Sequence, residues 1–192
     1  MEMRLVLFPA LGTDERIFSF IGEIPGKVVF HRLPNPSPDD SMATYASRLA
    51  KELNVGGGDF IGGVSFGGMV AAEISCQRRT RGLILISSGL SSHCINPVAQ
   101  RLGRLANHLP GGVLRSILGS RKTFKKVFGS DQPPLYELAA RMLDDSPTQL
   151  LVEGGRLSLN YWPASKPLCP VYAIHGQIDS MIFPPEVSGC KI

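Results

Sequence analysis

The sequence predicts an α/β fold built on a doubly wound, mostly parallel sheet, with a helical insertion late in the chain. Short continuous apolar runs, each close to a glycine or proline, are typical of strands that are buried on both faces. Segments with helical spacing lie between these runs, so strand and helix alternate. The 192 residues, of which 43% are hydrophobic and 19% charged, are enough to form one domain with a sizeable core.

Five apolar runs are predicted as strands, at residues 4–8, 27–31, 59–64, 83–87 and 169–175. The stretch 41–53 is predicted as an amphipathic helix, because its apolar positions alternate between one and three residues apart, with Ser41 as N-cap. Residues 66–77 are small and apolar, as in a helix that packs tightly on a sheet. A shorter helix is expected at 14–21, and 33–40 is expected to be a loop.

The pattern changes between residues 91 and 164, which are rich in leucine and arginine and broken by glycine and proline. This stretch has no strong strand signal, so it predicts several short helices inserted before the last strand. Residues 1–90 and 165–192 are therefore predicted to form the α/β core, with 91–164 as the insertion.

The segment Gly63-Val64-Ser65-Phe66-Gly67 has the pattern G-x-S-x-G between a predicted strand and a predicted helix. In that context a serine stands on a strained turn that exposes its hydroxyl as a nucleophile, and the helix N-terminus favours developing negative charge. The alternative is an ordinary glycine-rich turn with an incidental serine. The glycine spacing does not fit a dinucleotide fingerprint, and no GK[ST] phosphate loop is present.

Three segments, FPALGTDERIF, GGVSFGG and PVYAIHGQIDSMIFPP, occur in the order found in the α/β-hydrolase superfamily, and the chain resembles that family across most of its length. The resemblance implies an α/β-hydrolase fold in which the insertion is a lid. It also implies acyl transfer from a small ester or thioester to water, with no metal and no organic cofactor. It does not identify the substrate.

The resemblance also implies roles for four residues. Ser65 would be the nucleophile, and the backbone N–H groups of Leu11 and Phe66 would form the oxyanion hole. Asp179, in His-Gly-x-x-Asp, would be the acid that orients a histidine base. The alternative for Asp179 is a polar residue in an ordinary turn. Asp14 is interpreted as a helix cap.

The resemblance places the base histidine later in the chain than the acid, and we expect it beyond Ile192, with residues 189–192 beginning the strand before it. His175 is the nearest substitute, and His31, His93 and His108 are weaker ones. Asp144 and Asp145 are weak alternative acids, interpreted as a solvated turn or helix start. A fragment, a shortened gene product and a non-catalytic ligand-binding remnant all fit this expectation.

The net charge is +4 and the pI about 9.0, and no zinc spacing or nucleic-acid module is found, so no nucleic-acid partner is expected. The partner implied is a small acyl substrate; the oligomeric state is open. Arg121, Lys122, Lys125 and Lys126 form a basic cluster, interpreted as a solvated helix face in preference to a membrane-surface or acidic-substrate site. Scattered cysteines without a CxxC pair, and no signal or spanning segment, predict the cytoplasm.

Apolar residues of the predicted lid are expected mainly to pack it onto the sheet, with lining of a substrate cavity as the alternative; they are Leu105, Leu109, Val113, Leu114, Ile117, Leu118, Phe124 and Phe128. Tyr161-Trp162-Pro163 is expected to pack at the hinge of this insertion, with a place at the border of the pocket as the alternative.

Overall fold

In the part of the chain that the structure describes, five parallel strands form one sheet in the order β2-β1-β3-β4-β5. The structure, a computed structural model, describes residues 3–128 and 132–185. The strands are Arg4–Phe8 (β1), Lys27–Phe30 (β2), Asp59–Val64 (β3), Gly82–Ile86 (β4) and Val171–Ile174 (β5). This arrangement confirms the predicted parallel sheet. The chain beyond 185, including the strand expected to begin at 189–192, lies outside the described residues.

Helices lie between the strands and in one block after β4. They are Met42–Glu52 (α1), Phe66–Gln77 (α2), Pro97–Ala106 (α3), Gly111–Leu118 (α4), Arg121–Phe128 (α5), Pro133–Asp145 (α6) and Thr148–Leu159 (α7). Ser41 caps α1 as predicted, because its hydroxyl accepts a hydrogen bond from the Thr44 N–H at 3.1 Å. The block α3 to α7 confirms that the stretch between the last two described strands is helical.

Some predicted bounds differ from the structure for local physical reasons. The expected helix at 14–21 forms only a 3-10 turn, Glu15–Phe18, which Asp14 caps through its carboxylate as interpreted. The expected strand at 83–87 ends before Ser87, whose φ is 42°, outside the extended region. The strand expected at 169–175 begins only at Val171, because Pro170 has no N–H for the ladder.

The sheet is covered on both faces near its centre. Along β1, Val6 and Phe8 point into the main core with α1 and α2, while Leu5 and Leu7 pack with Phe18 on the other face. This two-sided burial explains the continuous apolar run in the sequence. In β5, by contrast, residues alternate between buried and exposed, so the expectation of two-sided burial is wrong there.

The two ends of the helical insertion meet at its base. The Ser92 N–H donates to the Tyr161 carbonyl at 2.9 Å, and the rings of His93 and Trp162 lie 4.7 Å apart, edge to face. Tyr161 is fully buried where the insertion joins the core, as predicted, whereas Trp162 is 66% exposed and packs against His93. Helix α7 contributes Leu150, Leu157 and Leu159 to the main core cluster, so the insertion shares its interior with the sheet.

The apolar residues of the insertion divide into three groups. Leu114 is buried in a cluster with Leu143 and Leu151, whereas Phe128 lies where side chains are not described. Leu118 and Phe124 line a cavity that is described below. The expectation of packing onto the sheet is wrong for four residues whose side chains are exposed to solvent: Leu105, Leu109, Val113 and Ile117.

Cys76, Cys94 and Cys169 are free thiols, and Cys190 lies outside the described residues. Across residues 3–128 and 132–185, no helix is long and apolar enough to cross a bilayer.

Candidate active site

Ser65 occupies the turn between β3 and α2 in a backbone conformation that non-glycine residues seldom adopt. Its φ is 49° and its ψ −116°. Two hydrogen bonds hold the turn against the end of β4. The Ser65 N–H donates to the Ile86 carbonyl at 3.0 Å, and the Ser88 hydroxyl donates to the Ser65 carbonyl at 2.7 Å. The turn is therefore strained and tied down at both of its backbone polar groups.

Glycines on either side of Ser65 allow the loop after β1 to approach this turn directly. A Cβ on Gly67 would lie 2.3 Å from the Pro9 carbonyl oxygen, and one on Gly63 would lie 2.6 Å from the Phe8 carbonyl oxygen. Real Cβ atoms do not come this close to backbone, so both positions require glycine. The sequence spacing G-x-S-x-G thus has a steric cause in this fold.

The loop after β1 carries Leu11, and α2 begins at Phe66. The Thr13 N–H and hydroxyl both donate to the Ala10 carbonyl, at 3.1 and 2.9 Å, which closes a tight turn around Leu11. Within the described ranges, the N–H groups of Leu11 and Phe66 have no hydrogen-bond acceptor. The first N–H groups of a helix lack intrahelical partners in general, so the Phe66 N–H is available to a ligand oxygen.

Asp179 lies in the turn that follows β5. Its N–H donates to the Gly176 carbonyl at 3.1 Å, and its Oδ1 accepts from the N–H groups of Met181 and Ile182 at 2.9 and 3.0 Å. The carboxylate is half-buried and stabilises the turn that presents it. These contacts fit the turn-forming alternative, and they also hold one carboxylate oxygen in a fixed position.

A cavity of about 340 Å³ brings Leu11, Ser65 and Asp179 together at the carboxyl ends of β1, β3 and β5. Ligands in open α/β sheets bind in the crevice at this edge. The helical insertion supplies the opposite wall, which is mostly apolar: Leu118, Phe124, Tyr136, Ala139, Ala140 and Leu143. The Phe66 side chain is not part of the wall; it is buried and stacks against Tyr45 at 6.2 Å.

None of the four histidines, all of which are described, lines this cavity. His31 lies beside Glu52, with 3.8 Å between Nε2 and the carboxylate; His93 packs on Trp162; and His108 is exposed. His175 has both ring nitrogens buried without a hydrogen-bond partner among the described residues.

Burial lowers the pKa of His175, and the negative charge of Asp179 opposes this shift only in part. The neutral imidazole is therefore favoured at this position. A neutral imidazole can accept a proton, but His175 is not among the residues that line the cavity.

Asp144 and Asp145 were expected in a solvated turn or at the start of a helix, but they are the last two residues of α6. Neither lines the cavity. Asp145 instead pairs with Arg16 at 2.5 Å.

The basic cluster of α5 is more than a solvated face. All four cations are exposed, as interpreted; in addition, the Arg121 guanidinium lies over the Tyr136 ring, 5.4 Å from its centroid, and Lys126 lines the cavity.

Two site residues were not identified from the sequence. Ser88 supports the Ser65 carbonyl, and Ser87, with φ 42°, lines the cavity. Both follow β4, and the carboxyl ends of neighbouring parallel strands meet at one edge, so strand order is the signal that could have found them. No group of three histidine, cysteine or acidic side chains that could hold a metal ion occurs within 3–128 or 132–185.

No family model and no curated protein matches the chain. Solved structures do match. A thioesterase of the prodiginine pathway of Streptomyces coelicolor, RedJ, has 21% identity and a TM-score of 0.59; the match covers 89% of this chain and 65% of that one. An esterase from Exiguobacterium antarcticum has 13% identity and a TM-score of 0.67, over 98% of this chain and 81% of that one.

A hydrolase from Oleispira antarctica has 15% identity and a TM-score of 0.66, over 96% of this chain and 76% of that one. The chain spans less than two thirds of the length of the Streptomyces thioesterase. At these identities the likeness is one of fold, and it agrees with the parallel sheet and the turn that bears Ser65. The chain has the fold of the α/β-hydrolase superfamily.

Proposed function

We propose that this chain is a serine hydrolase that cleaves a small ester or thioester by acyl transfer to water. The observation that carries the proposal is Ser65, held at φ 49° between β3 and α2 on the wall of a cavity that also contains Asp179. A serine on such a turn exposes its hydroxyl at the top of the sheet. Thioesterases, esterases and hydrolases among the similar structures support the same reaction class.

In this reaction Ser65 Oγ attacks the carbonyl carbon of the substrate, and the hydroxyl proton passes to a base. The carbonyl oxygen takes the electron pair, and the N–H groups of Leu11 and Phe66 would stabilise this oxyanion by about 3 kcal/mol per donor. Collapse of the intermediate expels the alcohol or thiol, which takes up the proton. Water then attacks the acyl-serine, the acid leaves, and the Ser65 hydroxyl is restored.

Asp179 would orient the base and stabilise its protonated form. The fixed position of its Oδ1, bound by two backbone N–H groups, suits that role. The proposal assigns no base among the four histidines, because none lines the cavity with Ser65. The helical insertion would act as a lid whose apolar side chains, such as Leu118 and Phe124, hold the acyl group.

The second candidate is a ligand-binding protein on the same fold without catalysis. It is favoured by two observations: within the described ranges the Ser65 hydroxyl has no hydrogen-bond partner, and no imidazole lines the cavity. A serine without a base stays protonated and is a weak nucleophile. Such a protein would keep the apolar cavity and bind acyl compounds without cleaving them.

Covalent labelling by a fluorophosphonate, read by intact mass, separates the two candidates. We expect one adduct per chain, absent in Ser65→Ala, because the reagent reacts with activated serines only. Ser116→Ala is the matched control, since Ser116 is exposed and does not line the cavity. Loss of the adduct in His175→Gln as well, with an unchanged circular dichroism spectrum, would make His175 the base although it does not line the cavity.

An unlabelled chain whose circular dichroism shows a folded α/β protein would contradict the hydrolase proposal. The ligand-binding candidate would then require that an uncharged ester probe, such as 4-nitrophenyl butyrate, binds the chain without being cleaved.

A further inference from the structure

Large apolar side chains are exposed on α3 and on α4. On α3 the side chains of Val98, Leu102 and Leu105 are 57%, 55% and 69% exposed, and their spacing of four and three places them on one face. Others follow after α3. We name the α3–α4 stripe by its six exposed residues: Val98, Leu102, Leu105, Leu109, Val113 and Ile117.

This exposure does not come from loosely packed helices, because the inner sides of α3 and α4 are in contact with the rest of the protein. A Cβ on Gly103 would lie 3.2 Å from the Leu159 side chain of α7, and Leu114 is buried against Leu151 of the same helix. The stripe is therefore the face left over after folding. Large apolar side chains that stay exposed on one helix face, as on α3, are a feature of interaction sites.

Along the chain, the charged side chains of this region have one sign. Residues 74–130 contain ten lysines and arginines and no aspartate or glutamate. On α3 itself, Arg101 and Arg104 are exposed beside the stripe, and neither has an ion-pair partner among the described residues. Cationic side chains next to an exposed apolar helix face are the pattern of helices that lie in the surface of a bilayer.

We propose that the α3–α4 stripe docks onto an anionic lipid bilayer, with its leucine and valine side chains in the headgroup region and Arg101 and Arg104 on lipid phosphates. A second copy of this chain would bring the same arginines against each other, which disfavours a symmetric contact. A nucleic acid would satisfy the arginines but leave the apolar side chains uncovered. A bilayer satisfies both features at once.

The test is sedimentation of the whole chain with vesicles of equal parts phosphatidylglycerol and phosphatidylcholine, against vesicles of phosphatidylcholine alone. We expect binding about tenfold stronger to the anionic vesicles, weakened by added salt. Leu102→Ser/Leu105→Ser should reduce binding about tenfold, because apolar burial is lost. Arg101→Ala/Arg104→Ala should abolish the preference for the anionic lipid.

Two control variants change the same chemistry elsewhere on the surface. Phe20→Ser/Leu168→Ser removes two exposed apolar side chains, and Arg79→Ala/Lys166→Ala removes two exposed cations; both should bind like the unaltered chain. The four residues changed in these controls lie outside residues 98–117, which contain the stripe.

Equal binding to both vesicle types, or control variants that weaken binding as much as the α3 variants, would overturn the proposal. It would also be overturned if velocity sedimentation showed a dimer that Leu102→Ser/Leu105→Ser dissociates, since the stripe would then join two copies. Failure to bind the anionic vesicles at all would overturn it too, and would leave an acidic protein as the partner of the stripe. None of these measurements depends on Ser65 chemistry, so the proposal and the proposed hydrolase activity succeed or fail separately.

Discussion

At the scale of single residues, the Ser65 turn is built from close backbone contacts that only glycine permits. Gly67 brings α2 against the loop after β1, where the Pro9 and Phe8 carbonyl oxygens would lie 2.3 and 2.5 Å from an added Cβ. Backbone oxygens cannot move aside as flexible side chains can. The loop that carries Leu11 and the turn that carries Ser65 are therefore positioned by the same contact.

Gly67→Ala should lower the free energy of unfolding by about 3 kcal/mol, at the upper end of the cost of overpacking, because the obstructing atoms are backbone. Urea unfolding measures this change. Gly57→Ala is the control, since nothing lies within 4 Å of a Cβ at Gly57, and it should cost less than about 0.5 kcal/mol. Equal costs for the two substitutions would show that the close approach does not exist.

Site residues that lie in a local motif could be predicted from the sequence, whereas those that follow a neighbouring strand could not. Ser65 could be predicted because its strand, turn and helix are continuous in the chain. Ser88, which donates to the Ser65 carbonyl, lies 23 residues away and becomes visible only when β3 and β4 pair. The roles assigned to Ser65, Leu11, Phe66 and Asp179 stay predictions until the labelling experiment is done.

At the scale of elements, an ion-pair network joins the 3-10 turn after β1, the segment after β2 and helix α6. Asp14 is 1% exposed and lies 2.5 Å from Arg16 and 2.9 Å from Arg32, and Arg16 also reaches Asp145 of α6. Hydrogen bonds from Arg16 lower the pKa of Asp14 to about 2. The carboxylate is thus stabilised by the fold.

Because the folded-state pKa of Asp14 is below its unfolded value of 3.8, the folded state binds fewer protons. Its contribution, about 2 kcal/mol, is fully present above pH 4 or so and is lost as the pH falls towards about 2. Urea unfolding at a series of pH values should show a steeper acid loss in the unaltered chain than in Asp14→Asn. Asp39→Asn, at an exposed site, should leave the slope unchanged.

Element bounds could be predicted where the hydrophobic pattern changes sharply. Strands β1 and β3 and helix α2 have the predicted bounds, because apolar runs end there at polar residues or glycine. The helices of the insertion could be expected only as a group, since the glycines and prolines between 110 and 147 break them without fixing their faces. Which faces of α3 and α4 stay exposed depends on their packing against α7, and this tertiary contact is not visible in the local sequence.

At the scale of the whole molecule, the sequence predicts a boundary between the core and the insertion. This boundary is placed where the strand signals end along the chain and a leucine- and arginine-rich stretch begins. The packing does not follow that boundary, because α7 belongs to the insertion and yet places Leu150 and Leu157 in the cluster formed by β1, β3 and β4. The insertion also contacts the 3-10 turn after β1 through Asp145. Two domains with separate cores would unfold separately, whereas a shared core favours a single transition.

We therefore expect one unfolding transition with the same midpoint by two probes. Fluorescence of Trp162, the single tryptophan, reports on the base of the insertion through its contact with His93, and far-ultraviolet circular dichroism reports on all helices and strands. Leu151→Ala, at a buried position of α7, should lower the free energy of unfolding measured by both probes by about 3 kcal/mol. Leu168→Ala, at an exposed position, should shift neither. If Leu151→Ala moved the fluorescence transition alone, the insertion would be an independent domain, and the lid proposed over Ser65 could open without disturbing the sheet.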